Sequence, residues 1–171
     1  MGQPIDSSRR FFFRSSKQQT LPARPPWSLS EETFIDRCER CDLCINACQT
    51  GLLIKGSGGF PEADFTRAAC SFCEACISAC PKQLMKKNGQ KPWPLLPVIK
   101  SNCLAQNKIH CRTCAEMCDS DAISFRLALG NVAQPVIDHS ACTVCAECVA
   151  SCPVSAINMK PAEESANAEN S

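Results

Sequence analysis

Sixteen cysteines in a chain of 171 residues fall into four groups of four, with none left over. The groups read "CERCDLCINACQ" (Cys38, Cys41, Cys44, Cys48), "CSFCEACISACP" (Cys70, Cys73, Cys76, Cys80), "CLAQNKIHCRTCAEMCD" (Cys103, Cys111, Cys114, Cys118) and "CTVCAECVASCP" (Cys142, Cys145, Cys148, Cys152). Three groups share one spacing. The third opens it by placing the seven residues "LAQNKIH" between Cys103 and Cys111. Cysteines this dense make their loops the organising centres of the fold, with only short helices and strands between them.

The spacing separates three uses of cysteine. Disulfide frameworks suit small secreted domains and favour irregular spacing across long loops. Zinc takes paired C-x-x-C knuckles held apart by a longer spacer. Here a third cysteine follows three residues after the second, and a fourth comes four after that. This C-x2-C-x2-C-x3-C run is the ferredoxin pattern for a cubane [4Fe–4S] cluster. Three soft thiolates come from one tight loop, while the fourth sits in the following helix and ligates the neighbouring cluster.

The runs are therefore expected to work in pairs, with four clusters in all. Cluster 1 takes Cys38, Cys41, Cys44 and Cys80; cluster 2 takes Cys70, Cys73, Cys76 and Cys48. Cluster 3 takes Cys103, Cys111, Cys114 and Cys152; cluster 4 takes Cys142, Cys145, Cys148 and Cys118. The insertion in the third run reads as a surface bulge that leaves Cys103 a ligand, because the apolar "PVI" (97–99) precedes it in register. The alternative is a three-cysteine site, in which His110 replaces the missing ligand. His139 reads as structural. Asp119, directly after Cys118, is expected to lower the potential of the cluster that Cys118 holds, unless solvent screens it.

The repetition extends beyond the cysteines. An apolar pair follows each last cysteine: Leu52-Leu53, Leu84-Met85, Ala122-Ile123 and Ala156-Ile157. Apolar residues also precede each first one: Phe34, Phe65, Val98-Ile99 and Val136-Ile137. Each unit reads as a short strand, a cysteine loop, one or two helical turns and a returning strand. Turn signals separate the units at 55–59, 87–90 and 129–132. The fold class is α+β, a tandem of two bacterial 2[4Fe–4S] ferredoxin-like modules with short antiparallel hairpins and short helices around the clusters. The expected division is a basic, Pro-rich arm (1–30), a first module (31–92), a second (93–160) and a disordered tail (161–171). The stretch "KPWPLLP" (91–97) is the junction. Half-domains of this size bury too little apolar surface to be secure alone, so the clusters must also act as staples.

Several function classes are not indicated. Eighteen basic against seventeen acidic residues, no Tyr and two Trp argue against nucleic-acid binding. No G-x-G-x-x-G follows a strand, so no dinucleotide is expected, and there is no P-loop or haem-attachment motif. No apolar run approaches the length that spans a bilayer. The chain is expected to move electrons as a carrier or accessory protein, not to act as an enzyme.

The stretch "SSRRFFFR" (7–14) has the letters of a twin-arginine export signal, but "SSKQQTLPARPPWSLSEE" follows it without an apolar segment. A cytoplasmic location is expected, where thiols stay reduced. With this start, the four runs and the widened third run, the sequence resembles the ferredoxin-type accessory proteins of the periplasmic nitrate reductase system, the NapF type. The resemblance covers about residues 7–160, and all sixteen family cysteines map onto cysteines here. It implies a cytoplasmic protein that contacts the precursor of the molybdenum-containing catalytic subunit and assists its maturation, by delivering electrons or clusters. The alternative is the electron-transfer subunit of a standing oxidoreductase complex. Charge fits docking: four clusters at roughly two negative charges each take the body from +1 to roughly −7. Against that body, Arg9, Arg10 and Arg14 form a basic arm suited to a partner's groove.

Overall fold

A computed structural model describes residues 22–128 and 131–162. Arg9, Arg10 and Arg14 lie outside the described residues, as does the tail beyond residue 162. In chain order the elements are α1 (Glu31–Arg37), α2 (Leu43–Asn46), β1 (Leu53–Lys55), β2 (Pro61–Ala63), α3 (Ala75–Ser78), β3 (Leu95–Ile99), α4 (Thr113–Glu116), β4 (Ile123–Ala128), β5 (Asn131–Ile137), α5 (Glu147–Ala150) and β6 (Ile157–Pro161). The mixture of short helices and antiparallel pairs is an α+β fold.

In the second half of the chain, the outer strands β3 and β6 pair antiparallel, from Ile99 opposite Ile157 to Leu95 opposite Pro161. Within them lies the hairpin β4–β5, with Ile123 opposite Ile137. A cysteine loop and a one-turn helix, α4 or α5, bridge each outer strand to the hairpin. The apolar pairs flanking the third and fourth runs are what place these strands, since their alternation gives each a buried face.

The first half follows the same plan in reduced form. β1 and β2 make the inner hairpin, closed by a 3-10 turn over Ser57–Gly59, and the outer pair shrinks to a single bridge between Ser28 and Met85. The strand expected around Phe34 is the helix α1. Ser30 caps it by accepting from the Thr33 N–H, Glu31 and Glu32 occupy the first turn and Arg37 the last. These local signals favour a helix whatever the repeat suggests. Phe34 still turns its ring into the core. Phe65 likewise lies past the end of β2, in a turn held by the Arg67 N–H on the Asp64 carbonyl.

One apolar cluster joins both halves: Leu52 and Phe65 from the first, Ile123, Val144, Val149 and Ile157 from the second, and Trp93 between them. Trp93 stands edge-on to Phe65 at 5.0 Å and its Nε1 donates to the Arg24 carbonyl at 2.7 Å. The stretch 91–97 is thus packed, and its last residues enter β3.

Residues 22–30, the described end of the expected arm, strap the first half. The Trp27 N–H donates to the Pro92 carbonyl, Leu29 to Leu84 and Lys86 to Trp27. Arg24 is 8% exposed. Its guanidinium donates to both carboxylate oxygens of Glu31, reaches Glu62 at 3.5 Å, and lies over the Phe34 and Phe60 rings. The Glu31 hydrogen bond holds its pKa above the usual range against the opposing pull of burial. Arg24→Ala would leave two carboxylates facing an apolar wall without their cation. Unfolding of the iron-loaded protein in urea is expected to show a loss of about 3 kcal/mol; an unchanged midpoint would contradict the strap.

Candidate metal centres

In the first, second and fourth runs, the residues on either side of the middle cysteine are left-handed. They are Arg40 and Asp42, Phe72 and Glu74, and Val144 and Ala146, with φ between 53° and 68°. Left-handed residues set between right-handed ones turn successive N–H groups towards one centre, a nest that favours a negative guest. None of the six is glycine, and a β-branched Val144 at φ 63° is strained by about 1–3 kcal/mol. The third run departs: Arg112 has φ −132°, and the left-handed residue is Lys108, inside the insertion.

Each run then closes alike. The residue three after the last cysteine is left-handed in all four: Gly51, Gln83, Asp121 and Ser155. Each donates its N–H to the carbonyl of that cysteine, Cys48, Cys80, Cys118 or Cys152. Glycine at 51 is the clear sequence signal for this turn. Asp121 is a weaker signal, since aspartate visits this region more readily than most residues, and Gln83 and Ser155 give none.

The cysteine runs cross over in space. One small, enclosed cavity is lined by Cys38, Cys41, Cys44 and Cys80, and another by Cys118, Cys142, Cys145 and Cys148. Each thus joins three cysteines of one run to the last of another. Burial, then Cys80, pushes the Cys44 thiol up to about 12, the Ile45 N–H opposing and Cys38 adding. Burial, then Cys142 and Cys145, pushes Cys148 up to about 12. Cys76 is pushed up to about 11 by burial and by Cys70, with Cys48 and Cys73 also bearing on it. Cys73 is exposed and is held low by the Ala75 N–H and the Ser71 hydroxyl. Cys114 is pushed up to about 11 by burial, then by Cys103 and Cys111. Buried thiols of this kind are protonated at neutral pH, so any metal bound by them would displace protons.

Cys103 therefore stands beside Cys111 and Cys114 across the insertion. The inserted residues bond to themselves: the Asn107 side chain donates to the Ser101 and Cys103 carbonyls, and the Ile109 N–H to Leu104. Cys152 is half-buried on the same core cluster as Cys114 and accepts the Ala156 N–H at 3.1 Å on its sulfur. His110 is exposed on the bulge, whereas His139 Nε2 lies 3.2 Å from the Pro97 carbonyl, a structural contact. Asp119 is exposed, so solvent screens its effect on any nearby charge.

The helices after the cysteine loops pack in pairs, α2 against α3 and α4 against α5. Cys76 adds to the field on Cys44, and Cys114 to that on Cys148. Between the halves, Cys145 acts on Cys70, whose N–H donates to the Cys145 carbonyl at 2.9 Å. The second run thus abuts the fourth.

The donor sets fit an iron–sulfur cube. Among the described residues, no three His, Cys, Asp or Glu side chains converge tightly enough to hold one metal ion. Four cysteines around one largely apolar cavity supply the soft donor set that an iron–sulfur cube takes. The left-handed residues flanking Cys41, Cys73 and Cys145 are the backbone pattern from which anion-binding nests are built.

A short α+β fold whose cysteine loops enclose such cavities defines an iron–sulfur electron-transfer protein of the [4Fe–4S] ferredoxin type. Residues 109–156 match the family described as a 4Fe-4S dicluster domain. "Ferredoxin-type protein NapF" of Escherichia coli (strain K12) is 42% identical over 154 residues, covering 90% of this chain and 94% of that protein. The protein of the same name from Haemophilus influenzae is 43% identical over 145 residues, covering 85% and 82%. "Methylamine utilization ferredoxin-type protein MauM" of Methylophilus methylotrophus is 29% identical over 161 residues, covering 82% and 71%. The chain belongs to the NapF family of ferredoxin-type proteins. Among the described residues no helix is long and apolar enough to cross a membrane.

Proposed function

We propose that this chain is a tandem of two dicluster modules, residues 31–92 and 93–160, holding four [4Fe–4S] clusters. It acts in the cytoplasm on the catalytic-subunit precursor of a periplasmic, molybdenum-containing nitrate reductase, and assists its maturation before export by delivering electrons or clusters. The observation that carries the cluster assignment is the pair of cavities lined by Cys38, Cys41, Cys44, Cys80 and by Cys118, Cys142, Cys145, Cys148. By the same crossing rule, Cys70, Cys73, Cys76 and Cys48 form the second ligand set, and Cys103, Cys111, Cys114 and Cys152 the third. The link to the reductase rests on family membership.

When bound, each cluster stores or passes one electron. The chain's own groups set the terms. Peptide N–H groups directed at sulfur, Val144 to Cys142 at 3.4 Å and Ala156 to Cys152 at 3.1 Å, favour the more negative, reduced state. α2 of the first run packs on α3 of the second, α4 of the third packs on α5 of the fourth, and the Cys70 N–H joins the second run to the fourth. Electrons therefore travel a line whose ends are sites one and three, and the Cys70–Cys145 hydrogen bond holds its middle link.

Arg9, Arg10 and Arg14 form the arm that engages the precursor, opposite in charge to the cluster-bearing body. Pull-down of the precursor by the full iron-loaded chain and by a form lacking residues 1–20 tests this. Capture is expected to weaken about tenfold without the arm. Equal capture would remove the arm's role, and no capture by either form would remove the partner.

A further inference from the structure

The insertion in the third run does more than close over its cysteines. Ala105 is buried and its carbonyl accepts from Gln134 Nε2 at 2.8 Å, which pins the bulge against β5. Between bulge and hairpin runs an open groove lined by Lys108, His110, Cys111, Arg112, Phe125 and Leu127. Leu127 is 92% exposed, and Ile109 beside the groove 53%. Apolar side chains this open at the mouth of a groove mark a contact surface.

Its charge is equally specific. Around the first two runs, three surface lysines are matched: Lys55 pairs with Asp42, Lys82 with Glu39 and Lys87 with Glu74. Among the described residues, neither Lys108 nor Arg112 has a carboxylate within ion-pair distance. The Arg112 guanidinium is held over the Phe125 ring at 5.2 Å, which orients it along the groove wall. Two unmatched cations beside exposed apolar residues, with Cys111 in the wall, form a positive mouth on a body that its clusters make negative.

We infer that the insertion between Cys103 and Cys111 builds a docking groove for an acidic one-electron carrier protein, which exchanges its electron at the third site. The inference rests on the proposed reading, in that a cluster occupies Cys103, Cys111, Cys114 and Cys152. One electron leaves the carrier and one arrives at that site; no bond forms or breaks. The chain's own basic arm is excluded as occupant by like charge. An acidic carrier is repelled elsewhere on the body and steered here, and its rate of approach falls with salt.

The test uses the iron-loaded full chain, reduced flavodoxin as an acidic one-electron carrier and a photoreduced deazaflavin as a small uncharged reductant, followed by stopped-flow absorbance. Lys108→Glu with Arg112→Glu is expected to slow reduction by flavodoxin at least about tenfold at low salt and to abolish its salt dependence. Iron content and reduction by deazaflavin should be unchanged. If the double variant loses iron, Lys108→Glu alone, on the exposed bulge, is read instead and is expected to slow the same step about threefold. Equal flavodoxin rates for variant and wild type overturn the groove, as does a wild type that flavodoxin does not reduce. Self-association of the wild type abolished by the same variant also overturns it, since the occupant is then a second copy. A wild type without iron at the third site, shown by iron content and by failure with deazaflavin, overturns the reading beneath it.

Discussion

Stripping the iron anaerobically is expected to unfold the described body as a whole. The elements have little independent means of persisting. Three two-stranded sheets are each marginal in isolation, and four of the helices span a single turn. The cysteine loops hold left-handed residues, Val144 included, that relax once nothing organises them. Structural zinc binding in small domains is worth about 10–16 kcal/mol, and cluster binding here is asked to do comparable work at each site. Hydrogen exchange before and after chelation measures it. The β3–β6 pair is expected to lose its protection together with the first half, because both rest on one core around Trp93 and Val144. Persistent protection of β3–β6 in the iron-free chain would show that the apolar core suffices.

The second large effect concerns the crossing of ligands. Cys118→Ser is expected to cost the fourth site, although Cys118 belongs to the third run. Cys118 lines the cavity of Cys142, Cys145 and Cys148. The variant should lose about a quarter of its iron. The spectrum of its remaining clusters, by electron paramagnetic resonance after reduction, should match that of Cys145→Ser and not that of Cys111→Ser. In the proposed line the fourth site lies at the middle, next to the hydrogen bond from the Cys70 N–H to the Cys145 carbonyl. Its loss should therefore slow electron equilibration between the halves as well. A spectrum matching Cys111→Ser would mean that each run holds its own cluster without exchange.

The iron–sulfur ferredoxin class was legible in the cysteines, because ligand spacing is a local property that a chain must write explicitly. The apolar pairs after each run placed the starts of β1, β4 and β6 for the same reason. What escaped was non-local or contrary to residue preference. Arg24 reads as one more basic residue in a polar stretch, since its partners Glu31 and Glu62 and its aromatic neighbours are assembled only by folding. Phe34 was expected on a strand because the repeat overrode the Ser30 cap. The left-handed positions flanking Cys41, Cys73 and Cys145 carry no glycine, and only Asp42 is of a type that visits this region readily. Trp93 looked like part of a linker because prolines surround it, yet it packs between both halves. The insertion announced itself, but its groove did not, since Phe125 and Leu127 come from a hairpin some fifteen residues on.

The most direct test of the account is the metal and sulfide content of the chain purified without oxygen. Four cubane sites require about sixteen iron atoms and as many acid-labile sulfides per chain. That content, falling by about a quarter in Cys111→Ser, is the predicted result. Zinc in place of iron, or iron without sulfide, would contradict it.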